Sequence, residues 1–284
     1  MKLVRYGAAG REKPGIIDAE GRIRDLSTVV PDIDCDTLSP KSLTKLSKLK
    51  LDKLPPVRGT PRLGACVARP GNFIAIGLNY ADHAAEAGLE VPKEPVVFNK
   101  ASNCICGPND DTMLPKGASK LDYEVELGIV IGSHARYLAK SAAMDAVAGY
   151  CVANDVSERE FQIERGGQWT KGKGCETFGP LGPWLVTKDE IRNPQNLDMH
   201  LTVNGETRQK GNTRTMIFSV AHIVWYCSQF MVLEPGDVII TGTPPGVGLG
   251  MKPEPKFLKA GDEVKLAIEG LGEQTQKIVK FKAS

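Results

Sequence analysis

The stretch DYEVELGIVIG, Asp122 to Gly132, carries the reading on which the fold class turns. In a strand, successive side chains leave on opposite faces. Tyr123, Val125, Leu127 and Ile129 then share one face, and Asp122, Glu124, Glu126 and Gly128 the other. Glu124 and Glu126 therefore point the same way, about 6.5–7 Å apart along the strand. Two carboxylates so placed repel each other unless a cation lies between them, and hard divalent ions take oxygen ligands at roughly 2.0–2.6 Å. A solvated polar face is the other reading of an isolated Glu-x-Glu strand.

On either side the chain is a series of short β-rich runs punctuated by Gly and Pro: FIAIGL, PVVFNK, GYCVAND, GPWLVT, DVIITG and EVKLAI. HLTVNGETRQ carries Asn204-Gly205, the pair that suits a two-residue hairpin turn. The clearest helical signals are Ile217 to Met231 and Ser157 to Arg165. Strands and helices do not alternate regularly, which argues against a doubly wound parallel sheet and for an α+β, mainly β, architecture. The first residues form a strand, a Gly-containing hairpin in PGIIDAEGRIRDLS and a helix begun by Ser39-Pro40. The Pro-rich LPPVRGTPRLG has linker composition and puts a boundary near residue 64, giving a small N-terminal domain at 1–64 and a catalytic domain at 65–284.

A third carboxylate, Asp155, ends the apolar run YCVAN just before Ser157 and Glu160, which match a capping box, so it is expected at a strand-to-helix junction. Helping that turn is its other reading. All-oxygen ligation suits Mg²⁺, Mn²⁺ or Ca²⁺ rather than zinc or copper. His83 and Glu86 stand at i and i+3 in GLNYADHAAEAG, where a carboxylate can orient an imidazole as a general base, or where both can form an ordinary surface pair. Lys171 and Lys173 lie among glycines in WTKGKG, either as a solvated loop or with a lysine placed against developing negative charge. VIITGTPPGVGLG lacks the lysine and helix of a phosphate loop, and reads as a strand-end loop able to hold a carboxylate through Thr241 to Gly246.

The chain has 284 residues, 41% of them hydrophobic, enough for a full core. With 36 basic and 34 acidic residues the net charge is +2, which gives no reason to expect nucleic acid or an anionic membrane as partner. Seven cysteines without a CxxC pair suggest reduced thiols and a cytoplasmic location. No long apolar run or signal-peptide pattern indicates membrane insertion or secretion.

Taken in order from about residue 70 to the C-terminus, GLNYADHAAEAG, FNKASN, DYEVELGIVIG, NDVSEREFQ, KGKGCETFGPLGPW and GDVIITGTPPGVG resemble the fumarylacetoacetate hydrolase family. The N-terminal part resembles the shorter bacterial members labelled ureidoglycolate lyase, 2-hydroxyhepta-2,4-diene-1,7-dioate isomerase or 2,4-diketo-3-deoxy-sugar-acid hydrolase. The resemblance implies the family's β-roll, a homodimer, and Glu124, Glu126 and Asp155 as metal ligands, with Mg²⁺ as the ion. It implies His83 and Glu86 as a water-activating dyad on a lid and Lys173 as a catalytic cation. Gln162, Thr243, Arg159 and Lys100 fall at substrate-binding positions. One departure is Ile76, where the animal hydrolase has a further aspartate ligand.

The chemistry so implied is metal-dependent cleavage of a C–C bond in a small 2,4-dioxo acid, giving pyruvate and a second acid. Ureidoglycolate lyase, decarboxylase, hydratase or isomerase activity on a related 2-oxo acid is the alternative within the family. A non-catalytic protein that captures organic acids is the alternative outside it. Arg165, Gln168, Trp169 and Arg214 are the residues expected to tune specificity.

Overall fold

Val125–Ile131, the strand at the heart of the quoted stretch, is buried at all seven positions. It is flanked on one side by Val147–Asn154, antiparallel, and on the other by Val238–Ile240. The computed structural model, which describes residues 1–82, 86 and 90–283, places this strand inside a ten-stranded mixed sheet. From edge to edge the path runs Ile23–Asp25, Lys13–Ile17, Lys2–Tyr6, Gly179–Thr187, Val147–Asn154, Val125–Ile131, Val238–Ile240, Phe73–Gly77 and Val96–Lys100, and the tenth strand, Ile105–Cys106, pairs off this path, parallel to the start of Gly179–Thr187. A central strand packed on both faces reads as a continuous apolar run, which is why Gly128 to Ile131 carry no polar side chain.

A second sheet of five strands is built from Glu206–Asn212, Asp198–Val203, Glu263–Ile268, Gly272–Val279 and Thr112–Met113. Its hairpin turns at Asn204-Gly205 with φ of 52° and 79°, the left-handed pair the sequence called for. Buried amides join the two sheets: Gln274 donates to the carbonyls of Val152 and Gly182, and Gln209 accepts from the amide of Val125. The fold is α+β and mainly β. Among the described residues no helix is long and apolar enough to cross a membrane.

Within the first 64 residues, Ser39 caps the helix Pro40–Leu46 by accepting from the Ser42 amide, as expected. The strands of this segment are hydrogen-bonded into the main sheet through Lys2↔Val186 and Leu3↔Leu185. Leu3, Ile16, Leu26, Ile33, Leu38 and Leu46 join the apolar core shared with the rest of the chain.

Three local expectations are corrected. The strand does not run unbroken from Asp122: Leu121–Asp122 pairs with Ser157–Glu158, and the main strand starts only at Val125. The Ser157–Glu160 capping box does not form. Ser157 donates its hydroxyl to the Asp155 carbonyl, while Glu158 accepts from the amides of Lys120 and Glu160 ahead of a five-residue π-helical turn at Glu160–Glu164. The later helix is confined to Val220–Cys227, because Ser219 caps it by accepting from the His222 amide.

Candidate functional site

The sheet brings three carboxylates to one point. Asp155 follows the end of Val147–Asn154, Glu126 comes from the neighbouring strand Val125–Ile131 and Glu124 immediately precedes it, the partner register setting Asn154 opposite Val125. One oxygen from each of Glu124, Glu126 and Asp155 can be chosen so that all three lie within 4.8 Å of one another, and all three residues are buried. Three hard oxygen donors so converged fit a divalent cation of the Mg²⁺, Mn²⁺ or Ca²⁺ kind.

Cations surround the cluster unevenly. The KGKG segment is not a solvated loop but the short helix Thr170–Lys173, which delivers Lys173 into the interior. Its Nζ donates to Glu124 Oε2 at 2.8 Å and Asp155 Oδ2 at 2.7 Å. Lys100, at the end of its strand, donates to Asp155 Oδ1 at 2.5 Å and to the Val156 carbonyl. Arg159 spans Asp122 Oδ2, Glu124 Oε1 and Gln162 Oε1 at 2.9, 2.5 and 3.0 Å. Among the described residues Glu126 accepts only from the Gly242 amide, at 2.7 Å, and makes no ion pair.

The electrostatics follow that asymmetry. Burial alone would raise the Glu124 carboxyl, but Lys173 and Arg159 hold it far below the usual carboxylate range. Burial pushes Glu126 well above that range, and the charges of Asp155 and Glu124 push the same way. Burial would lower Lys173, yet Asp155 and Glu124 outweigh it and keep the ammonium protonated. The cluster is thus short of positive charge on the Glu126 side, which is what a cation bound among the three carboxylates would supply.

These groups open into a cavity of about 320 Å³, floored by the carboxylates, Arg159 and Lys173. Its wall includes Phe98 and Trp169, which meet edge to face at 5.2 Å, together with Ile163, Val247 and Leu249. Glu86 reaches the rim, where it accepts from the Gly246 amide at 3.0 Å, and Gln162 and Thr243 also line the cavity. His83 lies outside the described residues. Lys100 does not line the cavity; its ammonium is turned to Asp155. Of the specificity candidates only Trp169 lines the cavity, whereas Arg165 pairs with Glu160 at the surface, and Gln168 and Arg214 are not part of the wall. Ile76 is a buried wall residue, so no fourth carboxylate stands there.

Sequence reasoning missed Asp122 and Gln209. Asp122 stood on the Glu124 face by alternation, but the interruption of the strand turns it to anchor Arg159 and the amides of Gly248 and Leu249. Gln209 belongs to a different sheet, and only tertiary structure brings it to Val125.

Residues 72–279 match the model of the fumarylacetoacetate (FAA) hydrolase C-terminal family. A Burkholderia ambifaria protein with the provisional name of hydrolase is 64% identical over 276 residues, covering 97% of this chain and 98% of its own. A Mycobacterium abscessus structure described as a probable 2-hydroxyhepta-2,4-diene-1,7-dioate isomerase is 34% identical with a TM-score of 0.84, and the match covers both chains in full. Maleylpyruvate hydrolase from Sphingobium sp. SYK-6, solved with manganese(II) and pyruvate, is 27% identical with a TM-score of 0.81 over 99% of this chain and 100% of its own. With a matching family model over most of its length and a buried acidic triad facing a cavity, the chain belongs to the fumarylacetoacetate hydrolase family and is an enzyme of that family.

Proposed function

We propose that this enzyme cleaves a C–C bond in a small 2,4-dioxo acid, using a divalent ion, Mg²⁺ in the cell, held by Glu124, Glu126 and Asp155. The observation that carries the reading is the convergence of those three buried carboxylates within 4.8 Å at the floor of a cavity. Pyruvate and manganese(II) in the Sphingobium relative support both halves of it. When bound, the ion supplies a Lewis-acid charge for the oxygens of a 2-oxo acid.

The chain's own groups account for the rest. Lys173, kept protonated between Glu124 and Asp155, holds a fixed positive charge where the 2-oxo fragment gains negative charge. Arg159 pins Glu124 and Gln162, so both reach the cavity in one arrangement. Glu86 stands at the rim, and with His83 three residues earlier it forms the pair that takes a proton from water for attack at C4. The apolar wall of Phe98, Trp169 and Val247 sheds water around the reacting carbons. In this reading the enzyme is a cytoplasmic homodimer; seven free thiols and the exposed Tyr137, Phe230 and Val232 support those two points respectively.

The likeness to the Mycobacterium abscessus protein favours a second reading, isomerisation of a related unsaturated 2-oxo diacid. A panel of 2-oxo and 2,4-dioxo acids assayed with Mg²⁺ and Mn²⁺ separates the two. Metal-dependent pyruvate release, lost on chelation and in Glu124→Ala, is the expected result. A product isomeric with its substrate would favour the second reading, and tight acid binding with no turnover across the panel would overturn both.

A further inference from the structure

Val125 joins the two glutamates, and its backbone lies where the sheet runs out. Asn154 is its neighbour on one side. On the other, Val238–Ile240 pairs only with Gly128, Ile129 and Val130, and the last backbone bond from that segment is Thr241 N–H to the Leu127 carbonyl. Among the described residues no strand pairs with Val125 from that direction. A buried amide and carbonyl left without partners would each lose their hydration with nothing in return.

Two side chains take the place of the missing strand. Gln209 Oε1 accepts from the Val125 amide at 2.9 Å, and Gln209 Nε2 donates to Thr243 Oγ1 at 2.8 Å. Thr243 Oγ1 in turn donates to the Val125 carbonyl at 2.9 Å, which closes a ring of three hydrogen bonds around one residue. Nε2 also donates to the Pro244 carbonyl at 2.8 Å, so both protons and the oxygen of the fully buried Gln209 side chain are used. The Thr243 hydroxyl proton is spent on Val125, so toward the cavity this hydroxyl can only accept.

We propose that Gln209 is a positioning residue of the metal site: by closing this ring it fixes the peptide between Glu124 and Glu126 and thereby sets how their carboxylates converge. The proposal rests on the reading of Glu124, Glu126 and Asp155 as metal ligands. Gln209 comes from the second sheet, so it ties the carboxylate strand to an element that contributes none of the three ligands.

The test uses the full-length protein and Mn²⁺ as the probe. Gln209→Met keeps the volume and removes the three hydrogen bonds that Gln209 makes, to Val125, Thr243 and Pro244, leaving the Thr243 hydroxyl on the Val125 carbonyl. The expected result is a Mn²⁺ affinity lowered about tenfold or more, with an altered electron paramagnetic resonance spectrum of the bound ion. Gln195→Met, which deletes comparable amide bonds to Val220 and Thr213, should lower the melting temperature and leave that spectrum unchanged. If Gln209→Met fails to fold, Thr243→Ser and Thr243→Val carry the test from the other end of the ring: serine should preserve the wild-type spectrum and valine should not. Wild-type affinity and spectrum in Gln209→Met, or in Thr243→Val where that variant stands in, would overturn this proposal alone. A wild-type protein that binds no Mn²⁺ would overturn the metal reading and this one with it.

Discussion

Among single residues, Glu126 is where function and stability pull against each other. It is buried beside two other carboxylates and makes no ion pair among the described residues, so in the metal-free protein burial, reinforced by the charges of Asp155 and Glu124, holds its proton well above the usual carboxylate range. A folded-state pKa above the unfolded one means that the native state binds more protons than the unfolded chain in the window between them. Stability of the metal-free protein attributable to this group is therefore greatest below the unfolded pKa and falls as pH rises through the folded one. Glu126→Gln removes that slope. In chelator, its melting temperature should exceed that of the wild type at pH 7–8, by the equivalent of about 1–3 kcal/mol, and the gap should close toward pH 4. Added Mg²⁺ should then stabilise the wild type and leave the variant unchanged. Thermal melts across pH with and without metal decide this, and a variant that melts below the wild type in chelator at pH 8 would contradict it. The carboxylates were legible in the sequence from local signals, the Glu-x-Glu spacing for Glu124 and Glu126 and the end of an apolar run for Asp155. Their uneven pairing was not, since Lys173, Lys100 and Arg159 arrive from three separate segments.

At the scale of elements, apolar periodicity located the strands of the main sheet, and what it missed lies where a segment changes partner. Tyr123 and Glu124 fall between two strands that pair with different neighbours, an interruption that alternation cannot reveal. The KGKG segment shows the same limit. Its glycines suggested backbone left open to a ligand, but Gly172 is open to protein: a Cβ there would sit 2.3 Å from the Glu158 carbonyl oxygen and 2.5 Å from the Gln162 amide nitrogen. Close approach of the Thr170–Lys173 helix to the Glu160–Glu164 turn is what lets Lys173 reach Glu124 and Asp155. Gly172→Ala should push the two segments apart, at a cost of about 1–3 kcal/mol. Catalytic rate should fall by about tenfold or more as Lys173 is displaced from the carboxylates. Steady-state kinetics with a melting curve tests both effects, and a wild-type rate in a normally folded Gly172→Ala would show that this contact does not place Lys173.

For the molecule as a whole, the question is whether the catalytic roll can stand without the first 64 residues. The Pro-rich stretch at 54–64 that ends them sets them off in sequence, and the family match begins only at residue 72. In space, however, Lys2–Tyr6 hydrogen-bonds to Gly179–Thr187, which is the neighbour of the strand whose end at Asn154 leads into Asp155. Deleting residues 1–64 would strip the partner strand from the Leu185–Val186 end of Gly179–Thr187, leaving that end an open edge, and expose both side chains, now buried. Leu3, Ile16, Leu26, Ile33, Leu38 and Leu46 would be lost from the shared core, each worth about 1.5–3 kcal/mol of burial. Six such side chains together match or exceed the roughly 5–15 kcal/mol by which a domain is normally stable. Residues 65–284 expressed alone should therefore aggregate or lack a cooperative melt, and co-expression with residues 1–64 should restore soluble protein that binds Mn²⁺. A monodisperse 65–284 fragment with a sharp thermal transition and bound metal would show that the N-terminal strands cover the sheet without being needed to hold Asp155 in place.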